Sequence, residues 1–136
     1  MSTTDDLLRN AEAYAASFDK GELPLPPAKK VAVVACMDAR LIPTRVLGLE
    51  EGDAHVIRNA GALVTDDVKR SLETSRKLGT ERVILMLHTD CGARSGDLDA
   101  LAREAAAEIG GDARATVYDV DSRELRDAAQ DDRSRG

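Results

Sequence analysis

The chain has 136 residues, a formal net charge of −6 and only three aromatic residues, Tyr14, Phe18 and Tyr118. That length fits one domain with an aliphatic core of its own. An acidic chain poor in aromatics lacks the basic patch and stacking rings of a nucleic-acid binder, and no apolar run approaches the ~18 residues of a membrane span.

The opening MSTTDDLLRN is acidic and does not read as a secretory signal. A cytoplasmic location is therefore expected, where the two cysteines stay reduced. Residues 4–18 predict an amphipathic helix with Thr4 as N-cap, Asp5 and Asp6 in the first turn, and Leu7, Leu8, Ala11, Tyr14, Ala15 and Phe18 at helical spacing. Gly21, Pro24, Pro26 and Pro27 then stop the helix and stiffen a connector. Such an arm must bury its apolar stripe on its own domain or on a partner.

Residues 31–35 are apolar and β-branched, as in a buried parallel strand. Pro43 suits the first turn of a short helix through Leu47, closed by Gly48. Residues 54–57 predict a second strand, 65–78 a helix closed by Gly79, and 82–87 a third strand. Residues 97–109 predict another helix, closed by Gly110 and Gly111, and 115–120 a last strand at an edge. The expected fold is α/β: a single domain with a mostly parallel central sheet of about four to five strands, flanking helices and an N-terminal helical arm. Residues 1–27 form the arm and connector, 28–126 the α/β domain, and the polar 127–136 a disordered tail.

Ligands of parallel α/β sheets bind beyond the carboxyl ends of the strands, where strand order reverses. If the second strand lies outside the first, that point falls between strands ending at Cys36 and His88. Cys36, His88 and Cys91 then share one crevice. Taken singly, each has an ordinary reading, since free cysteines are commonly buried and inert. As a set they are two sulfurs and an imidazole, a donor combination that suits zinc over magnesium or calcium. His88 and Cys91 stand three apart, so one turn can aim both inward. If a helix starts at Cys91, its dipole also favours the thiolate, and Gly92 permits close backbone approach. His55, inside a strand, reads as structural.

In extended chain Cys36, Asp38 and Arg40 would share a face. Asp38 can close the site as a fourth ligand, or be held off by a bidentate pair with Arg40 and leave room for water. An ordinary surface ion pair is the competing reading.

ACMDAR at 35–40, EGDAHVIRNAG at 51–61 and HTDCG at 88–92 together resemble β-class carbonic anhydrase of the small prokaryotic type. TDDVKRSLETSRKLGT at 65–80 and VYDVDSREL at 117–125 are similar to that family's intervening helix and last strand. The resemblance implies Zn2+ held by Cys36, His88 and Cys91, with Asp38 and Arg40 as a gate-and-orient dyad. It places Asn59, Ala60, Gly61 and Gly92 at the substrate pocket, with Arg58 beside them. It implies reversible hydration of carbon dioxide to bicarbonate and a proton. It also implies a homodimer or higher homo-oligomer, with the N-terminal helix embracing a partner that helps line the pocket. No nucleic-acid or membrane partner is expected. The same residues serve a hydrolase of carbon disulfide or carbonyl sulfide, or a catalytically impaired zinc or redox protein with a disulfide between Cys36 and Cys91. The chain departs from the family pattern between residues 92 and 117, where relatives carry a longer segment, and at Ala93, where they carry a larger residue.

Overall fold

The computed structural model of the protein describes residues 2–128. Its elements alternate: α1 (Thr3–Ser17), β1 (Val31–Cys36), α2 (Pro43–Val46), β2 (Ala54–Asn59), α3 (Asp66–Lys77), β3 (Arg82–His88), α4 (Leu98–Ile109), β4 (Arg114–Tyr118) and β5 (Leu125–Asp127). They build a five-stranded sheet in the order β2-β1-β3-β4-β5. The first four strands are parallel, and β5 runs antiparallel to β4.

β1 lies inside the sheet, and Ala32, Val33, Val34 and Ala35 are all fully buried. A strand covered on both faces needs the unbroken apolar run seen in its sequence. Alternation then divides its side chains between two cores. Ala32 and Val34 join Val83, Leu85, Val117, Val68 and Leu72 under α3 and α4. Val33 and Ala35 join Leu41, Met86 and Tyr118, with Val46 and Leu47 over them. Among the described residues α2 is the one helix contributing to that second cluster, so this face is the more thinly covered.

α3 and α4 start where their capping residues stand. Thr65 Oγ1 accepts from Val68 N at 3.1 Å, and Asp97 Oδ1 accepts from Ala100 N at 3.1 Å. The single helix α4 completes the crossover from β3 to β4, so the short stretch after residue 92 suffices to extend the parallel sheet.

Three expectations shift. α1 is capped by Ser2 rather than Thr4, because Ser2 and Asp5 form a reciprocal capping box. β4 ends at Tyr118 and is not an edge, since β5 pairs outside it. β5 carries pairing through Asp127, and Ala128 is buried, its N–H donating to Ala115 O at 2.8 Å. Order thus runs two residues beyond 126; the rest of the expected tail lies outside the described residues.

α1 buries none of its residues. Leu7 and Leu8 are each 60% exposed and Tyr14 55%. Its tie to the body is polar: Tyr14 Oη donates to Glu51 Oε2 at 2.8 Å, and Lys20 Nζ to Glu51 Oε1 at 3.2 Å. The glutamate's own backbone N–H, then Tyr14 and Lys20, hold Glu51 down to about 2.

Candidate metal centre

The strand order places β1 between β2 and β3, so the reversal falls between β1 and β3 as the sequence implied. Cys36 ends β1 and His88 ends β3. In register, Ala35 pairs with Met86, which brings the two ends level. Asp90, at φ +52°, then turns the chain so that Cys91 faces back. The left-handed region is one that aspartate tolerates better than most residues.

The two sulfurs lie 3.9 Å apart, and the donor atoms of Cys36, His88 and Cys91 all lie within 4.8 Å of one another. Two sulfurs at about 2.3 Å from a tetrahedral zinc would stand about 3.8 Å apart. His88 is 1% exposed. Its Nδ1 sits 2.7 Å from Thr89 O, which assigns the proton to Nδ1 and leaves a lone pair on Nε2. Among the described residues, Nε2 is the one buried side-chain nitrogen or oxygen without a hydrogen-bond partner. A buried imidazole acceptor beside two cysteine sulfurs is the donor arrangement a zinc ion takes. The donors therefore fit zinc, and the three residues are positioned to bind it.

Backbone N–H groups complete the sulfur environment. Gly61 N–H donates to Cys36 Sγ at 3.3 Å, and Ala93 N–H to Cys91 Sγ at 3.4 Å. Burial pushes the Cys36 thiol up, but the N–H groups of Gly61 and Asp38, with His88 alongside, outweigh it and bring it down. No helix begins at Cys91, because α4 starts at Leu98, so a helix dipole has no part in this sulfur's setting.

Asp38 Oδ2 lies 3.7 Å from His88 Nε2. Both its oxygens are engaged by Arg40: Nε donates to Oδ1 at 3.0 Å, Nη2 to Oδ2 at 2.7 Å, and the Arg40 backbone N–H to Oδ1 at 2.8 Å. The guanidinium first, and that N–H next, hold the Asp38 carboxyl well below the usual carboxylate range. The pair arises differently from the expectation. β1 stops at Cys36 and the chain turns, with Leu41 N–H donating to Asp38 O at 3.1 Å, so a turn and not extended alternation sets the geometry. Arg40 also reaches across to Asp90, donating to its Oδ2 at 3.0 Å and its carbonyl at 2.9 Å. One guanidinium thereby ties the loop after β1 to the loop after β3.

The remaining sequence-derived positions differ in what they do. Arg58 donates to Cys36 O, Asp38 O and Leu41 O at 2.6 to 2.9 Å, stapling the turn that carries Asp38. Arg58→Ala is expected to cost about 1–3 kcal/mol of unfolding free energy, measured by urea titration, because it strips charged donors from those carbonyls. An unchanged midpoint would show that water replaces the guanidinium. Asn59 braces the next turn, accepting from Leu63 N and donating to Leu63 O. Ala60 is exposed. Gly61 has φ +86°, and a Cβ there would meet Ala93 Cβ and Arg94 Cγ at 3.3 Å. A Cβ on Gly92 would meet nothing within 4 Å, so the protein's own atoms leave that position free.

Gly61, Leu87, Arg94 and Leu98 close the small space around the three donors. Larger clefts lie elsewhere: about 400 Å³ beside Leu63 and Glu104, and about 220 Å³ beside His55, with no donor residue in either. His55 shares a 2.6 Å hydrogen bond with Ser75 Oγ, itself 2.6 Å from Thr80 Oγ1, as befits a structural histidine. The sequence reading missed Arg94 and the interloop contact of Arg40 with Asp90.

Comparison with known proteins agrees with this geometry. The family model described as "Carbonic anhydrase" matches residues 31–134. The chain is 61% identical over 93 residues to "Beta-carbonic anhydrase 1" of Mycobacterium tuberculosis, covering 68% of this chain and 56% of that protein. It is 37% identical over 106 residues to a "Carbon disulfide hydrolase" of Acidithiobacillus thiooxidans, covering 76% of this chain and 53% of that one. The chain thus spans little more than half the length of these curated relatives. The crystal structure of carbonic anhydrase from Streptococcus mutans superposes with a TM-score of 0.86 at 34% identity, covering 94% of this chain and 98% of that one. With a family match over most of its length, a sheet that superposes on a solved member and a zinc-fitting donor set at the strand ends, the chain belongs to the carbonic anhydrase family, in its β class.

Proposed function

We propose that this protein is a zinc enzyme that reversibly hydrates carbon dioxide to bicarbonate and a proton. One observation carries the reading: an unpartnered His88 Nε2 and two cysteine sulfurs converge beside a carboxylate that Arg40 holds at both oxygens. A purely structural site has no use for that held carboxylate.

Cys36, His88 and Cys91 would hold the ion. Zinc supplies Lewis acidity, which makes a water nucleophilic near neutral pH. Asp38, ionised at neutral pH, would accept a hydrogen bond from the attacking water and so orient it toward the carbon atom. Arg40, by engaging both oxygens, would keep the carboxylate off the metal. Two thiolates among the donors place more negative charge in the site than neutral histidines would, so turnover should rise into mildly alkaline pH. The described histidine outside the donor set, His55, is engaged with Ser75 in a separate cleft, away from the three donors.

Stopped-flow carbon dioxide hydration at alkaline pH, with zinc measured in the same sample, tests the reading. Turnover proportional to zinc is expected. Full zinc without turnover would defeat it. Hydrolysis of carbon disulfide is the second reading, favoured by the 37% identity to such a hydrolase; sulfide release from carbon disulfide by protein inactive on carbon dioxide would establish it. A thiol count separates the redox alternative, because oxidised Cys36 and Cys91 would titrate as none under denaturing conditions.

The active form in this reading is a homodimer or higher homo-oligomer in the cytoplasm, with residues 1–27 as the arm and the zinc-binding domain running from 28 past 126 to 128. The apolar stripe of α1, left open on its own chain, supports an arm laid on a second copy. The cytoplasm suits two thiol ligands, which it keeps reduced. Deleting residues 2–18 is expected to halve the mass seen by light scattering and to lower turnover. An unchanged mass would place the interface elsewhere.

A further inference from the structure

Gly61 and Ala62 are consecutive residues in the left-handed region, at φ +86° and +52°. Glycine takes that conformation freely, but alanine does so at a cost, and Ala62 is fully buried. Surroundings must impose the turn. Asn59 grips it on one side through both the N–H and the carbonyl of Leu63. Arg94 grips it on the other, its Nε donating to Gly61 O at 2.6 Å and its Nη2 to Ala62 O at 3.3 Å. The same turn supplies the Gly61 N–H that donates to Cys36 Sγ at 3.3 Å.

Arg94 comes from the loop that carries Cys91, three residues after it. That loop has no helix or strand until α4 begins at Leu98. Its guanidinium therefore joins the loop holding one sulfur to the turn serving the other, while its Cγ lies 3.3 Å from where a Gly61 Cβ would stand. A lysine or an apolar side chain could fill the space. The apolar side chain could not donate at all, and lysine's compact ammonium lacks the fixed planar fork that sets two N–H groups on successive carbonyls.

We propose that Arg94 is a positioning residue of the metal centre: it fixes the 61–62 turn so that the Gly61 N–H stays aimed at the Cys36 sulfur. The inference rests on the zinc reading above and adds a residue to it. Outer partners of metal ligands govern affinity although they never touch the metal.

Arg94→Met keeps length and bulk but removes every donor; Arg94→Lys keeps the charge and loses the planar fork. Three readouts apply to each. In zinc-free protein, exchange of the Gly61 amide should quicken by about 10-fold or more while amides of β1 keep their rates. Zinc affinity, by competition with a chromophoric chelator, should fall by about 10- to 100-fold in Arg94→Met, with Arg94→Lys between it and wild type. The sulfur-to-cobalt charge-transfer band of cobalt-substituted protein should shift in both. Wild-type values in all three would overturn the proposal. So would a uniform rise in exchange across the sheet, which marks a role in stability alone. Should Arg94→Met fail to fold, Arg94→Lys carries the same three readouts. Wild-type protein that failed to bind zinc would defeat the zinc reading, while the Gly61 amide would still report on the clamp.

Discussion

Cys36→Ser is expected to lose more than about 100-fold in zinc affinity, since even changes to the partners of metal ligands cost about 10- to 100-fold. Cys36 is the buried donor proposed at the end of β1, 5% exposed, and the chain's other cysteine, Cys91, already belongs to the same donor set. A serine hydroxyl stays protonated at neutral pH and is a poorer donor to zinc than a thiolate. It also ends the N–H···S bond from Gly61. Dialysed variant should carry almost no zinc and show almost no hydration activity. Because ion binding and folding are linked, zinc should raise the melting temperature of wild type and leave the variant's unmoved. A full equivalent of tightly held zinc in Cys36→Ser would place the metal elsewhere and sink the site.

Asp38→Ala should do the opposite at the metal and nearly the same to the rate. Its carboxylate is 3.7 Å from His88 Nε2 but held at both oxygens by Arg40, so zinc content should stay at the wild-type level. Turnover should fall by about 100- to 10,000-fold, the range for removing a positioned proton acceptor. The fall should appear in kcat and in kcat/KM alike. Wild-type rates would remove Asp38 from the reaction. Arg40→Ala completes the test from the other side. Freed of its clamp, Asp38 can swing onto the metal as fourth ligand. The visible spectrum of the cobalt-substituted variant should then lose its pH dependence, whereas a spectrum that titrates as in wild type would count against the clamp.

Much of this was legible in the sequence because apolar pattern and capping chemistry are local. The runs at 31–35 and 82–87 became β1 and β3, and Thr65 and Asp97 marked the starts of α3 and α4 within a residue. The reversal between β1 and β3 was conditional in the sequence on where the second strand lay, and the order β2-β1-β3 meets that condition. β5 escaped notice because Leu125, Arg126 and Asp127 look like any charged tail, and only the pairing with β4 makes them a strand. Arg58 and Arg94 were illegible as staples for another reason. Their targets are carbonyl groups, which every residue possesses, so no partner residue type betrays the contact. The turn between Cys36 and Leu41 hid likewise, because the donors that shape it belong to Arg40 and to a strand many residues later.

The placement of the donors on β1 and β3 has a consequence for how the protein acquires its ion. Between those strands the chain must first make β2 and α3 and cross the sheet. In chain order Cys36 comes 52 residues before His88, so the three donors stay apart until the strands that carry them pair. Zinc capture waits for long-range parallel pairing, the slow kind of folding event. In the zinc reading, the complete donor set would therefore form only once β1 and β3 have paired, so metal uptake would report on correct topology.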